Sequence, residues 1–82
     1  MNIAIIGYGK MGREIEKAAK SKGITTTSII DPYDNDAGFK EINESSMSGV
    51  DVCIDFSTPS SVVDNIKKAA KFKKNVVIGT TG

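Results

Sequence analysis

The sequence has no histidine and only one cysteine, Cys53, in 82 residues. The lack of histidine removes the commonest general base and the commonest metal ligand. No metal site is expected, and acid–base chemistry would have to come from other residue types or from polypeptide outside these residues. A single cysteine excludes an internal disulfide. Set in the apolar stretch "VDVCIDF", Cys53 reads as a small buried hydrophobe of a reducing compartment. As a catalytic thiol it would have no histidine to activate it. Long apolar runs are missing too. Met1–Ile6 is too short to span a membrane, and a secretory signal needs a longer apolar region behind basic residues. A cytoplasmic protein without a membrane partner is expected. Charge of one sign is not in excess: 11 basic against 10 acidic residues leave +1. That speaks against a polyanion-binding surface, and so against nucleic acid. Internal repeats, low-complexity tracts and linkers are also absent, so the chain holds one small domain at most. A domain this short buries only about 60% of the surface its unfolded form exposes.

What is present alternates between two periods. Asn2–Ile6 is a short apolar run ending at Gly7, which suits a strand buried on both faces of a parallel sheet. Met11, Ile15, Ala18 and Ala19 then follow the helical period, predicting a helix from Lys10 to Lys22 with Gly23 as a left-handed cap. Lys17, Lys20 and Lys22 gather at its end, where they suit the helix dipole. Thr25–Ile30 is a second strand, ended by Asp31-Pro32 because proline lacks a ladder N–H. Phe39–Ile42 is expected as a short edge strand, and Asn43–Ser48 as a turn or brief helix. Val50–Phe56 is the third clear strand. Thr58 can cap a helix with Pro59 at its first position. The stripe Val62, Val63, Ile66, Ala69 and Ala70 carries that helix to Phe72, where Lys67, Lys68, Lys71, Lys73 and Lys74 form a solvated basic end. Asn75–Ile78 is the last strand. Strands alternating with helices imply parallel pairing through right-handed crossovers. The fold class is therefore α/β: a truncated, Rossmann-like doubly wound parallel sheet of four to five strands in three αβα layers. Its last strand has no helix after it, which leaves a sheet edge and part of one face uncovered.

Gly7-Tyr8-Gly9-Lys10-Met11-Gly12 fits G-x-G-x-x-G between a strand and a helix, the context in which that motif binds a dinucleotide. Gly7 would allow the tight turn, Gly9 the close approach of a pyrophosphate, and Gly12 close packing of helix on sheet. N–H groups near Lys10 and Met11 would face the anion at the positive end of the helix. A glycine-rich turn without a ligand is the plainer alternative. Asp31 lies roughly 20 residues past Gly12, where an acidic side chain meets the adenosine ribose hydroxyls. A carboxylate there favours NAD(H), and Lys40 or Lys10 keeps NADP(H) open. The plainer alternative for Asp31 is an Asp-Pro turn opener. If the third strand lies beside the first, Phe56, Ser57 and Thr58 line the cofactor crevice, as do Gly79, Thr80 and Thr81 after the last strand. Helix capping is the alternative for Ser57 and Thr58, and a loose chain end for Gly79–Gly82. Asp55 reads as a solvated or hydrogen-bonded strand-end carboxylate rather than a catalytic acid.

The stretches "IIGYGKMGREI", "VDVCIDFSTPSS" and "VVIGTTG" resemble, in order and spacing, the N-terminal part of the 4-hydroxy-tetrahydrodipicolinate reductase (dihydrodipicolinate reductase) family of lysine and diaminopimelate biosynthesis. The resemblance implies hydride transfer from NADH or NADPH to a cyclic imine-type substrate, by a homotetramer. It puts the pyrophosphate on Gly7–Gly12 and the ribose on Asp31. Phe56 and Thr58 would flank the cofactor, with Gly79–Thr81 at the nicotinamide end. The glycine turn is one residue shorter than the commoner G-x-x-G-x-M-G form, and no basic residue follows Asp31. The family's substrate and catalytic domain, with its paired-histidine and lysine motif and Ser-Gly-Thr turn, is not in this sequence. Residues 1–82 are thus expected to be a partial cofactor-binding domain, inactive alone, with no catalytic residue of its own. The glycine turn alone is also compatible with a domain of another reductase, such as a homoserine or proline-pathway enzyme, or with a non-catalytic NAD(H)-sensing module.

Overall fold

A computed structural model describes residues 1–79 of the chain. Thr80 and Thr81, expected beside the cofactor, lie outside the described residues. The elements run β1 (Asn2–Ile6), α1 (Lys10–Ser21), β2 (Thr25–Ile30), α2 (Glu44–Met47), β3 (Val52–Asp55), α3 (Pro59–Lys71) and β4 (Asn75–Ile78). The four strands form one sheet in the order β2-β1-β3-β4, and all three pairings are parallel. The strand order reverses between β1 and β3.

Alternation along β1 sorts the core into two layers. Ile3 and Ile5 pack with Ala19, Ile15 and Ile24 on the α1 side. Ala4 and Ile6 pack with Cys53, Met47, Val50 and Ala69 on the side of α2 and α3. With helices on both faces, β1 needs apolar residues at every inner position, and Ile3–Ile6 are all buried.

Three expectations are corrected. First, the inward stripe of α1 is Gly12, Ile15 and Ala19, whereas Met11 is 56% exposed. A Cβ on Gly12 would fall 2.3 Å from the Gly7 carbonyl oxygen. Gly12 must therefore face the sheet, which turns Met11 and Ala18 to solvent. In α3 the inward stripe is narrower than expected: Val62 and Ala69 are buried, whereas Val63 is 61% exposed and Ala70 faces solvent. Second, Phe39–Ile42 is not a strand. Only Phe39 bridges β2, through Phe39 N–H to Ile29 O and Asp31 N–H to Phe39 O, both 3.0 Å. Lys40 then turns back to the Asp34 carbonyl, and Ile42 packs on the core. Third, β3 is shorter than Val50–Phe56 at both ends. Asn43–Ser48 does contain a brief helix, closed by reciprocal Asn43 and Ser46 hydrogen bonds at its N-terminus.

Candidate functional site

The carboxyl ends of β1, β2 and β3 open into a cleft of about 810 Å³, at the reversal of strand order where open α/β sheets bind ligands. Its floor is the turn between β1 and α1. Gly7 has φ +93°, and a Cβ there would sit 2.8 Å from the Ser57 nitrogen and 2.9 Å from the Phe56 carbonyl carbon. That left-handed backbone and that close approach both require glycine. Gly9 differs: a Cβ built on it meets nothing within 4 Å, and it lines the cleft. It is the N-cap of α1, with no side chain to accept from the first turn and no acidic residue within that turn. The positive end of the helix therefore carries no compensating charge from its own residues.

Asp31 ends β2 half-buried at the cleft wall. Its Oδ1 accepts the Tyr33 N–H and its Oδ2 accepts the Tyr8 N–H, each at 2.8 Å. The carboxylate thus opens the Asp-Pro turn and also ties it to the glycine turn. Ionised, it keeps further lone pairs for hydroxyl donors. The Tyr8 side chain leaves the cleft. Its hydroxyl donates to Glu16, which pushes the phenol pKa up. Its ring lies under the Arg13 guanidinium, 4.1 Å from the centroid.

On the third side, Phe56, Ser57 and Thr58 line the cleft. Asp55 is fully buried beneath them. It accepts the Ser57 N–H at 2.7 Å and the Asn65 amide at 3.0 Å, and the same Asn65 nitrogen donates to the Ser57 hydroxyl at 3.1 Å. The Asp55 carboxylate is hydrogen-bonded, as expected, and has no contact with solvent. Thr58 occupies the N-cap position before Pro59, but its hydroxyl makes no capping bond. It turns to the Ser60 and Ser61 hydroxyls at 3.0 and 3.1 Å, which compete with the backbone for it. Gly79 sits against the Phe56 ring, where a Cβ would fall 2.2 Å from a ring carbon.

The fold thus brings Gly7, Gly9, Asp31, Phe56, Ser57 and Thr58 to one cleft. Gly12 lies beneath the turn, and Lys10 and Met11 point to solvent at the start of α1. Sequence reading missed Asn65, which sits one position off the apolar stripe of α3, and Tyr33, which is 94% exposed at the rim. Cys53 is buried with its sulfur 3.7 Å from that of Met47, and burial pushes its thiol pKa up. Among the described residues no acidic or thiol cluster could hold a metal, and no helix is long and apolar enough to cross a membrane.

The family model described as dihydrodipicolinate reductase, N-terminus, matches residues 1–82. The 4-hydroxy-tetrahydrodipicolinate reductase of Christiangramia forsetii is 39% identical over 82 residues, which is 100% of this chain and 32% of that protein. The enzyme of the same name from Zymomonas mobilis is 39% identical over 83 residues, covering 33% of its length. That of Campylobacter jejuni is 40% identical over 83 residues, covering 32%. The chain spans about a third of the length of these curated relatives.

Proposed function

The chain belongs to the dihydrodipicolinate reductase family, whose N-terminal part it matches, and from that premise we propose that its cleft is the nicotinamide-dinucleotide site of a 4-hydroxy-tetrahydrodipicolinate reductase. The observation that carries the reading is Gly9. Gly7 and Gly12 are explained by packing alone, since each would clash if it bore a Cβ. Gly9 is not: a Cβ there would meet no atom within 4 Å, and the residue lines the cleft, where a pyrophosphate needs close approach to the backbone. In the Gly7–Gly12 turn the Gly7 and Tyr8 N–H groups are taken by Ile30 and Asp31, and the N–H groups near Lys10 and Met11, at the start of the helix, hold the pyrophosphate. Asp31 keeps lone pairs for the adenosine ribose. Phe56, Ser57 and Thr58 flank the cofactor, and Gly79, Thr80 and Thr81 serve its nicotinamide end. The bound cofactor supplies the hydride for the reduction in lysine and diaminopimelate biosynthesis. No residue of the chain is assigned a catalytic step. The substrate-binding and proton-donating groups, and the contacts of a homotetramer, belong to polypeptide beyond this stretch, in a cytoplasmic enzyme.

The Asp31 carboxylate would repel a 2′-phosphate, so NADH is preferred to NADPH. Titration of the purified chain with each, followed by cofactor fluorescence, is expected to give saturable binding that is tighter for NADH. Asp31→Ala weakens NADH by about 1–3 kcal/mol through a lost charge-assisted hydrogen bond, and weakens NADPH less. A folded chain that binds neither cofactor refutes the reading. Equal affinities before and after the substitution reduce Asp31 to its turn.

A further inference from the structure

We propose that Arg13 is a positioning residue that fixes the wall of the cleft facing the adenosine half of the dinucleotide, an inference that rests on the dinucleotide reading above. The wall is the segment from Asp31 to Ile42. Asp31, Pro32 and Tyr33 line the cleft at its start, and Lys40, Glu41 and Ile42 line it at its end. The stretch between them, 34–38, lines nothing and forms no regular element. Both ends of the wall are tied by backbone bonds of Phe39 and by the Asp31 carboxylate. Its middle is tied to α1 by Arg13. The Arg13 Nη2 lies 2.8 Å from Asp34 Oδ2 and 3.4 Å from Asp36 Oδ2.

Arg13 and Asp34 each have contacts besides the one between them. The guanidinium rests on the Tyr8 ring, and that ring is fixed by its hydroxyl bond to Glu16. Asp34 is fixed by the Asp36 N–H on its Oδ1 at 2.8 Å and by Lys40 Nζ on its carbonyl at 2.9 Å. A planar cation that stacks on an aromatic face while bonding carboxylates at its edge is a task for arginine rather than lysine. Tyr8 sits in the glycine turn, so the tie joins the floor of the cleft to its adenosine-side wall. The Arg13 side chain is 42% and that of Asp36 75% exposed, so the tie is modest and screened by salt. It acts by holding one arrangement of the wall.

The test compares NADH with reduced nicotinamide mononucleotide, which lacks the adenosine half, on wild type, Arg13→Ala and Arg13→Lys. Melting by circular dichroism controls for fold. Arg13→Ala is expected to weaken NADH roughly two- to fivefold, the scale of a partly exposed ion pair, and to leave the mononucleotide unchanged. Arg13→Lys recovers part of the loss. Backbone amide signals of Asp36 and Ala37 shift in the unliganded Arg13→Ala chain. If Arg13→Ala does not fold, Asp34→Asn removes the same tie from the other side and carries the same expectation. An unchanged NADH affinity, or an equal loss for both ligands, overturns the assignment alone. A folded wild-type chain that does not bind NADH overturns the dinucleotide reading, and this assignment with it.

Discussion

At the scale of single residues, the glycine motif separates into three positions with three physical demands. Gly12 is a packing position: its Cβ would meet the Gly7 carbonyl at 2.3 Å, and backbone cannot yield as a side chain can. Gly7 combines a left-handed φ with a Cβ position 2.8 Å from the Ser57 backbone. Gly9 has neither constraint. Gly12→Ala is therefore expected to destabilise the fold by about 1–3 kcal/mol, the cost of overpacking. Gly9→Ala changes stability by less than about 1 kcal/mol, the scale of an N-cap substitution, yet is expected to weaken dinucleotide binding because it adds a methyl to a residue that lines the cleft. Urea denaturation and NADH titration of the same two variants give a crossed pattern. Loss of stability in Gly9→Ala, with binding unchanged in its folded fraction, would make the motif structural throughout.

At the scale of elements, α1 and α3 end in the same way with different residues. In α1, Ile24 N–H reaches the Ala19 carbonyl and Gly23 N–H the Lys20 carbonyl. In α3, Lys74 N–H reaches the Ala69 carbonyl and Lys73 N–H the Ala70 carbonyl. Both are left-handed caps that satisfy the last carbonyls. Gly23 takes φ +75° without strain, whereas Lys73 takes φ +59° with a side chain, a conformation disfavoured for L-residues. Lys73→Gly is expected to stabilise the chain by about 0.5–1 kcal/mol, the gain from lost strain being partly offset by a more flexible unfolded chain. It should raise the urea midpoint with an unchanged slope. A lower midpoint would mean that the charge of Lys73 at the helix end outweighs its strain. This cap also shows what was legible in the sequence. The end of α1 was readable because a glycine marks it. The end of α3 was read at Phe72, within a residue of where it falls, but its left-handed cap was not, because Lys73 reads as one more solvated lysine. Helix existence followed from period, but the facing of α1 did not: apolarity pointed to Met11 inward, and the contact between Gly12 and Gly7 decided otherwise. Four strands and the cleft residues Gly7, Gly9, Asp31 and Phe56–Thr58 were legible from strand ends and turn chemistry. Asn65 and the Arg13 tie were not, because they join stretches distant in sequence through side-chain geometry.

At the scale of the whole molecule, the sheet is protected unequally. β1 is covered on both faces, and β2 has Phe39 bridged to its outer side. β4 ends the strand order on the other side, where no strand pairs with its outer edge among the described residues. Val76 packs on the core, but Val77 is 56% and Ile78 49% exposed. Neighbouring residues of a strand point to opposite faces, so both faces of β4 are open near its end. Exposed Val63 on α3 adds to the apolar surface of the described residues. An unpaired edge with apolar residues on both faces is a template for pairing with a second chain. Lys73 and Lys74 precede the strand and oppose this by charge, but only at its start. The 82-residue chain is therefore expected to self-associate as its concentration rises in sedimentation velocity. Val77→Lys, which puts a charge on the open strand, should return it to a monomer. Because Val77 is more than half exposed, the substitution should cost within about 0.5 kcal/mol of stability, so a change in mass cannot be put down to unfolding. NADH affinity should stay the same, since Val77 does not line the cleft. A wild-type chain that remains monomeric at every concentration would mean that the two preceding lysines suffice to guard the edge. In that case Lys73→Gly, made to test the cap, should expose the edge and produce the association that wild type lacks.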